Sequence, residues 1–586
     1  MASKPLGRDA VLVAAIDFGT SYSGYAYQLY SNYKESPVKI LSPQAWNSGK
    51  HNLVSLKTPT CLLLNNKQEL DECPFGFEAE NRYANLCIEK ENEKYYFFRR
   101  FKMLLQEGEG LTKESIIEDV TGKNMLALDV FALSIKCLKN HLMKELQKRG
   151  TGLKEEDIFW ILTVPAIWND AARQFMREAA TKAGIHTGKL EIALEPEAAS
   201  LFCQNIPLTS PEEQVKFVAA PLGTKYMVVD LGGGTADITV HEKRRRGKLK
   251  EIMKASGGPW GGTAVDSAFF QLLASIVGDP VMNRFIKEET YDYLDLSREF
   301  EAAKRNFSKS TKNKMIIKLP ASLNELCEDI VGRSFKRCLA ESVHSTEISF
   351  KTDKIMINSS TVEVLFRKAT DHIVHHMKGI LEKARGKEIS IILMVGGFSE
   401  SKYVQEVICE AFQSKNGMQV IIPEDAGITV VKGAVLFGRM PQSIESRVVR
   451  FTYGERVNMP FLVGTHPEEK KIVSFDSIMC KDVFDCIVLA DSEVTNDFSI
   501  TKNYSTARDF QEVISLEVYY TTEKHPQFTT DRGCKLLGIY NMDISNPCKG
   551  KRCVDVTYQF GLTELKIRAV EKKTNRVCLT SFTMIE

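Results

Sequence analysis

The chain has 586 residues, of which 43% are hydrophobic and 26% are charged, a composition typical of globular proteins with more than one domain. Its formal net charge is only +2, so no overall field points to nucleic acid or to an anionic membrane. The polar N-terminus lacks a signal-peptide pattern, and no apolar run is long enough to span a bilayer. The 14 cysteines form no C-x-x-C pair, so we expect reduced thiols and a cytoplasmic location, with the nucleus as a further compartment.

The first informative stretch, AAIDFGTSYSGYAY, predicts a buried strand that ends in Asp17 and turns at Gly19. The hydroxyl-bearing residues that follow are Thr20, Ser21 and Tyr22. A carboxylate at the end of an apolar strand is costly unless a cation or hydrogen-bond donors satisfy it. Taken alone, the stretch is also typical of an ordinary β-hairpin.

Short apolar runs alternate with amphipathic helices up to about residue 440, which predicts an α/β architecture. The predicted strands cover 11–16, 158–164, 226–230 and 389–395. One predicted helix begins near Leu128 and stops at Gly150. Another is capped by Asn169 and ends at Gly184.

A second glycine turn, in YMVVDLGGGTADITVHE, repeats the pattern of the first. An apolar strand ends in Asp230, and a second acid, Asp237, stands on the returning strand. The turn between them consists of Gly232, Gly233, Gly234 and Thr235. Without Cβ atoms, its backbone amides can approach phosphate oxygens, although the turn lacks the G-K-[ST] of a P-loop. Two such hairpins facing each other would hold an oligophosphate, with Asp17 and Asp230 binding Mg²⁺ mainly through water.

A third turn, in IILMVGGFSESKYV, ends a strand at Gly396 and Gly397 and starts a helix, whose N-terminus suits an α-phosphate or adenosine. Each turn alone is a weak signal. Their order and spacing together resemble the actin, hexokinase and heat-shock ATPase superfold. After about residue 440 strict alternation takes over, as in Val554, Val556 and Tyr558, which predicts an all-β domain.

Two other motifs favour ordinary structural roles. HEKRRRGKLKEI could be a nuclear-localisation signal, but a charged turn between two strands is the favoured interpretation. HIVHHMKGI offers His372 and His376 at a spacing that metal sites use. No convergent acid or cysteine motif accompanies them, so the segment predicts an amphipathic helix.

Within the superfold, the chain resembles the 70-kDa heat-shock chaperone family and, in details such as WND, its divergent heat shock 70 kDa protein 12 branch. The segments similar to family motifs are IDFGTSYSG, ILTVPAIWNDAARQFMREAATKAG, LEPEAAS, FEAAKRNFS, LLGIYNMDI and VDVTYQFGLTELKIRAVEKKTNRV. FEAAKRNFS matches the family's adenosine-binding helix, which separates the chain from actins and sugar kinases. The resemblance covers nearly the whole chain.

This resemblance implies an α/β fold, with a two-lobed actin-like ATPase domain followed by an all-β sandwich domain. Unlike typical members, the chain shows no helical pattern after its last predicted strand, so we expect no helical lid. It places the first lobe at 1–215 and the second at 216–422. A closing helix at 423–440 returns to the first lobe, and the sandwich covers 441–586. The implied partners are polypeptide clients or specific proteins, not nucleic acid or membrane, and the oligomeric state is left open.

The family's site residues carry over by position. The resemblance implies that ATP or ADP binds with Mg²⁺ between the lobes, and it implies catalytic roles for Asp17, Lys102, Glu195, Asp230 and Asp237. The implied nucleotide contacts are Gly19, Thr20, Ser21, Tyr22, Gly232, Gly233, Gly234, Thr235, Gly262, Glu301, Lys304, Arg305, Ser308, Gly396, Gly397, Phe398 and Glu400. Asp17 and Asp230 would organise the metal.

Departures from the family leave more than one function open. Thr263 stands where the family has a nucleotide-contacting Glu, and Glu400 stands where it has an Arg on the adenine. SIESRVVR replaces the acidic, leucine-rich linker, so we expect ATP to exert little control over the β domain. A weak ATPase with chaperone-like binding is the leading interpretation. The alternatives are a non-hydrolysing, nucleotide-gated scaffold or signalling adaptor and, less favoured, a small-molecule kinase of the same superfold.

Overall fold

Mixed β-sheets covered by helices form the chain up to about residue 440, and antiparallel sheets follow. The computed structural model describes residues 7–43, 46–47, 54–68, 74–107, 111–206, 212–310, 314–384, 388–414, 418–474, 477–544, 547–572, 574–578 and 580–583. Within those ranges, no helix is long and apolar enough to cross a membrane. The predicted change from α/β to all-β architecture is confirmed.

The first lobe is built around a five-stranded sheet. Its strands are β1 (Leu12–Phe18), β2 (Tyr22–Leu29), β3 (Trp46–Asn47), β4 (Val54–Ser55), β5 (Thr58–Pro59), β6 (Cys61–Leu64), β7 (Tyr96–Arg99), β8 (Ile116–Glu118), β9 (Asn124–Leu126), β10 (Ile158–Val164) and β11 (Leu190–Leu194). Its helices are α1 (Tyr30–Glu35), α2 (Phe77–Ile88), α3 (Leu104–Glu107), α4 (Ala127–Lys148), α5 (Asp170–Lys182) and α6 (Glu195–Gln204). The main sheet has the order β11-β10-β1-β2-β5.

The second lobe is built around a larger sheet of seven strands. The lobe's strands are β12 (Lys225–Leu231), β13 (Ala236–Lys243), β14 (Leu249–Gly258), β15 (Met315–Lys318), β16 (Ile348–Lys351), β17 (Lys354–Ile357), β18 (Ile389–Val395) and β19 (Gln419–Ile421). The helices are α7 (Glu212–Ala219), α8 (Gly262–Val277), α9 (Asp279–Glu288), α10 (Thr290–Asn306), α11 (Ala321–Val331), α12 (Phe335–Glu341), α13 (Ser359–Lys383), α14 (Lys402–Ile408) and α15 (Ala426–Arg439).

The C-terminal part contains two antiparallel sheets, of six and four strands, and two further strands that join the seven-stranded sheet of the second lobe. Its strands are β20 (Ile444–Val448), β21 (Thr452–Pro460), β22 (Lys471–Ser474), β23 (Ser477–Val488), β24 (Glu493–Thr495), β25 (Ser499–Ser505), β26 (Val513–Thr521), β27 (Lys535–Asp543), β28 (Cys553–Gln559), β29 (Lys566–Glu571), β30 (Val577–Cys578) and β31 (Thr580–Thr583). The alternating Val554, Val556 and Tyr558 all face the core, as their spacing predicts.

The elements predicted from local pattern are confirmed. Asn169 caps α5, with its side-chain oxygen accepting a hydrogen bond from the Ala172 amide at 2.9 Å. The charged stretch HEKRRRGKLKEI covers the end of β13, the connection after it and the start of β14. His372 and His376 lie on α13 and pack against the Trp260 ring, at 5.7 Å and 5.2 Å between ring centroids. Both motifs therefore have the structural roles expected of them.

The last helix, α15, ties the second lobe back to the first. It packs so closely on α6 that a Cβ atom at Gly433 would lie 1.7 Å from the Ala198 carbonyl oxygen. At its end, the fully buried Arg439 donates to the carbonyl oxygens of Ala10 at 2.6 Å and Gln28 at 2.7 Å. Both lobes are thereby held around one shared cleft.

The segment in the place of the family's linker is a docked strand. β20, in SIESRVVR, pairs in parallel with β14 and antiparallel with β24, so it extends the second lobe's sheet. Arg447 binds Glu197 of α6 through two hydrogen bonds, of 2.7 Å and 2.8 Å. The strand lies within the range predicted for the β domain, but it pairs with the sheet of the second lobe.

A pH dependence of stability arises at this junction. Glu251 of β14 accepts a hydrogen bond from the Val448 amide at 2.8 Å, and burial raises its pKa from 4.5 to about 8. The folded protein therefore keeps this proton to higher pH than the unfolded chain. This contribution to stability is complete below pH 4.5 and is lost as the pH rises to about 8.

We therefore expect Glu251→Gln to raise the melting temperature relative to the parent more at pH 8 than at pH 5. The neutral amide retains an acceptor for Val448 and does not need to be protonated. Melting curves from pH 5 to 8 measure this difference, with the exposed Glu299→Gln as the matched control. A difference in melting temperature that stays constant over this range would contradict the assignment.

Candidate functional site

A cavity of about 340 Å³ lies between the two lobes, where the three glycine turns meet. Its volume falls within the range of small-molecule sites. The sequence-predicted residues that line it are Asp17, Gly19, Thr20, Ser21, Tyr22, Lys102, Glu195, Asp230, Gly232, Gly233, Gly234, Thr235, Gly262, Glu301, Lys304, Arg305, Gly396, Gly397, Phe398 and Glu400. The other two, Asp237 and Ser308, are buried outside its wall.

The glycine turns of the two lobes face each other across the cavity. A Cβ atom at Gly233 would lie 2.3 Å from Ser21 Oγ, and one at Gly234 would lie 2.7 Å from Thr20 Oγ1. A Cβ at Gly396 would lie 2.3 Å from Asp230 Oδ1. Only glycine fits at these three close approaches, so no side chain at these positions covers the backbone of the turns.

The floor of the cavity concentrates negative charge. Burial raises the pKa of Asp230 well above its ordinary value, and the neighbouring carboxylates raise it further. Burial also raises the pKa of Asp237 to about 7. Asp237 Oδ2 accepts hydrogen bonds from the Ala166 and Ile167 amides, whereas Oδ1 is buried without a partner among the described residues. A cation, or a water molecule that donates hydrogen bonds, would satisfy this surplus of carboxylates.

These carboxylates suit a hydrated metal ion. Among the residues that the structure describes, no three acidic, histidine or cysteine side chains could hold a metal ion together. Mg²⁺ keeps several waters and is commonly held by one or two carboxylates together with phosphate oxygens. Asp17 and Asp230, the pair predicted to organise the metal, both line the cavity, and Asp237 lies directly opposite Asp230 just outside its wall. The two lining carboxylates suit an ion bound mainly through water.

Lys102 and Glu195, two of the residues expected to be catalytic, form an ion pair in the cavity. Lys102 Nζ lies 3.0 Å from Glu195 Oε1 and 4.9 Å from the centre of the Trp168 ring. Both side chains of the ion pair are largely buried. Glu195 begins α6 and Lys102 lies in a short 3₁₀ turn, so two secondary-structure elements fix the position of the cation. The ammonium group is therefore held beside the carboxylates at the cavity floor.

The predicted adenosine residues lie on one face of α10. Glu301 pairs with Lys304 at 2.5 Å and with Arg305 at 2.7 Å, and the Arg305 guanidinium lies 5.5 Å from the centre of the Tyr22 ring. Glu400 accepts a hydrogen bond from the Gly427 amide at 3.0 Å. These contacts hold Glu400 against the start of α15, a constraint that its position in the motif did not indicate.

Several residues that line the cavity were not identified as site residues from the sequence. Arg100 of the first lobe pairs with Asp266 of the second at 2.8 Å, and Arg298 of the second lobe pairs with Glu80 of the first at 2.8 Å. The partners are 166 and 218 residues apart, so no local pattern connects them. Lys57, which binds Asp17 across 40 residues, was missed for the same reason.

Comparison with known proteins shows similarity over nearly the whole chain. The family model described as Hsp70 protein matches residues 101–578. Heat shock 70 kDa protein 12B of Homo sapiens is 32% identical over 96% of this chain and 90% of that protein. Heat shock 70 kDa protein 12A of Mus musculus is 32% identical over 97% of this chain and 90% of its own length. Chaperone protein DnaK of Metamycoplasma hominis is 21% identical over 76% of this chain and 64% of that protein.

Proposed function

The chain belongs to the Hsp70 family, and from this premise we propose that it binds ATP or ADP with Mg²⁺ between its lobes and hydrolyses ATP slowly. Members of the family generally bind these nucleotides with Mg²⁺ and bind polypeptides. The actin-like α/β fold expected from the resemblance agrees with this membership. Chaperone-like binding of other proteins completes the proposal.

The observation that carries the proposal is the convergence of three glycine turns on a cavity that also contains the Lys102–Glu195 pair. Amides of the turns would bind phosphate oxygens, as backbone donors do in other anion sites. Transfer of a phosphoryl group to water requires in-line placement and charge neutralisation more than a strong base. Lys102 would supply charge near the γ-phosphate, while Glu195 and Asp237 would position water and metal.

Adenosine would lie against α10, between Tyr22 and Glu400. Arg305 lies at the edge of the cavity, where its guanidinium is 5.5 Å from the centre of the Tyr22 ring and 3.5 Å from Glu400. Its planar group would contact a flat base there. Glu400 brings negative charge to the side where the family has an arginine. We therefore propose looser selectivity for the base than is usual in the family.

Single-turnover hydrolysis of ATP tests the enzymatic part of the proposal. With protein in excess over radiolabelled ATP and Mg²⁺, we expect slow release of phosphate that Asp17→Asn reduces further. Binding of ATP without any turnover would instead support the non-hydrolysing scaffold, which Glu400 at the adenosine side favours. Release of phosphate at the same rate in both proteins would contradict the assignment of Asp17.

We propose that the β domain binds extended polypeptide at the β22 edge of its six-stranded sheet. Val473 of β22 is 79% exposed, and its cross-strand partner Ile478 is 53% exposed. Leu462 and Val463, which follow β21, are exposed at the same end of the sheet. An edge strand offers unpaired backbone groups to any extended peptide, and apolar neighbours add affinity.

Replacing Val473 with lysine should weaken the binding of an unfolded, fluorescein-labelled peptide about tenfold. Burial of a valine side chain contributes about 1.5 kcal/mol, close to a factor of ten in affinity. Fluorescence anisotropy measures the change, with Val343→Lys as control because Val343 is 88% exposed on the second lobe. Equal weakening in both variants, or none in either, would exclude the β22 edge as the binding site.

The same titrations test the expectation that ATP changes peptide affinity little. They are run with ATP, with ADP and without nucleotide. Because coupling between two sites is reciprocal, peptide should then leave the equilibrium affinity for ATP unchanged as well. A large loss of peptide affinity on adding ATP would overturn this expectation and would implicate the docked strand β20 in the coupling.

A further inference from the structure

Lys57 stands at the floor of the nucleotide cavity, in direct contact with Asp17. The two charged atoms, Lys57 Nζ and Asp17 Oδ2, are 2.5 Å apart. The lysine side chain is 17% exposed and the aspartate side chain is 6% exposed. Lys57 also lines the cavity together with both phosphate turns. A fixed cation therefore occupies the position beside one of the two carboxylates assigned to the metal.

The path of the lysine side chain depends on a glycine in the facing strand. In the β1–β2 hairpin, Gly24 lies directly opposite Asp17. A Cβ atom at Gly24 would lie 3.0 Å from Lys57 Cγ, so the lysine stem crosses the bare backbone at this point. The next residue, Thr58, pairs with Ser23 and fixes the register of the lysine over the hairpin. The fold thus directs this ammonium group to Asp17.

Among the residues that the structure describes, the hydrogen bonds around Asp17 occupy one donor of the lysine. Asp17 Oδ1 accepts a hydrogen bond from Thr163 Oγ1 at 2.9 Å, and Oδ2 accepts one from Lys57. An ammonium group has three N–H donors, and Asp17 uses one of them. Lys102, the other lysine of the cavity floor, is engaged with Glu195. Lys57 is therefore a second, separate cation that can donate to an anionic ligand.

We propose that Lys57 is a built-in counter-ion of the phosphate site, and that nucleotide binding by this protein consequently depends only weakly on Mg²⁺. The inference rests on the proposed nucleotide site and assigns a further residue to it. An ammonium group that bridges Asp17 and phosphate oxygens would provide charge-assisted hydrogen bonds and part of the neutralisation that a divalent ion supplies. A lysine that only satisfied Asp17 would leave the dependence on Mg²⁺ unchanged.

The test is a calorimetric titration of ADP into the full chain, with Mg²⁺ and with EDTA. The measured quantity is the ratio of the dissociation constants in EDTA and in Mg²⁺. We expect this ratio to be less than about ten in the parent and about a hundred or more in Lys57→Met, because charge-assisted hydrogen bonds are worth about 1.5–3 kcal/mol. Lys57→Arg, which keeps the cation, should retain a low ratio.

Two further variants keep the result independent of folding defects. Lys94→Met removes an exposed lysine of the first lobe and should leave the ratio unchanged. Gly24→Ala crowds the lysine stem without altering the charge of the cavity, so it should raise the ratio in the same direction as Lys57→Met.

Equal ratios in the parent, Lys57→Met and Gly24→Ala would overturn the role of Lys57 while leaving the proposed nucleotide site intact. A ratio of a hundred or more in the parent itself would also overturn that role. Absence of ADP binding to the parent under both conditions would overturn the proposed function, and this inference with it.

Discussion

Gly233→Val should weaken ADP binding about 100-fold or more, a loss of roughly 3 kcal/mol. Even a methyl group at this position would lie 2.3 Å from Ser21 Oγ and 2.7 Å from Ser21 Cβ, across the cleft between the lobes. The valine would force the two phosphate turns apart and would cover the amides that approach the ligand. Isothermal calorimetry with ADP and Mg²⁺ measures the loss.

The matched control for this variant is Gly379→Val. Gly379 lies in α13 of the same lobe, and a Cβ there would meet no atom within 4 Å. We expect this variant to bind ADP like the parent, with a small gain in helix propensity because valine is a better helix former than glycine. Similar ADP affinity in Gly233→Val and in the parent would show that the second turn does not bind phosphate.

Lys102→Met should lower the rate of ATP hydrolysis about 10²–10³-fold, the usual effect of removing one charge-stabilising group. The ammonium group is held by Glu195 at 3.0 Å and by the Trp168 ring at 4.9 Å, so its position is fixed before the substrate binds. ADP lacks the γ-phosphate, and we therefore expect its affinity to change less than about tenfold. Single-turnover rates and ADP titrations separate the two effects.

Lys139→Met provides a stringent control. Lys139 is also a buried lysine of the first lobe and pairs with Glu155 at 2.8 Å, but it does not line the cavity. Any loss of activity that results only from removing a buried cation should appear in both variants. Hydrolysis by Lys102→Met at the parental rate would remove Lys102 from the catalytic assignment.

The parts of the fold that depend on local pattern could be predicted from the sequence. The strand ending in Asp17 and the strand ending in Asp230 were recognisable because apolar runs, an acid and glycines stand together in the chain. The helix capped by Asn169 was recognisable for the same reason. Such signals involve neighbours in sequence, whose geometry the backbone fixes directly.

The contacts that the sequence did not reveal join distant segments. Lys57 reaches Asp17 across 40 residues, and its path depends on the absence of a side chain at Gly24. The strand β20 was interpreted as a substitute linker. The sequence did not reveal that it pairs with β14, because tertiary packing determines that pairing. Glu400 was assigned to the adenosine side by position alone, whereas its bond to Gly427 depends on where α15 begins.

Hydrogen–deuterium exchange tests the central proposal, a nucleotide bound jointly by three turns, most directly. The amides at 19–22, at 232–235 and at 396–397 are followed with and without ATP and Mg²⁺. We expect nucleotide to slow exchange in all three segments together, because one ligand contacts both lobes. Unchanged exchange in these turns at saturating ATP, or protection confined to another part of the protein, would contradict it.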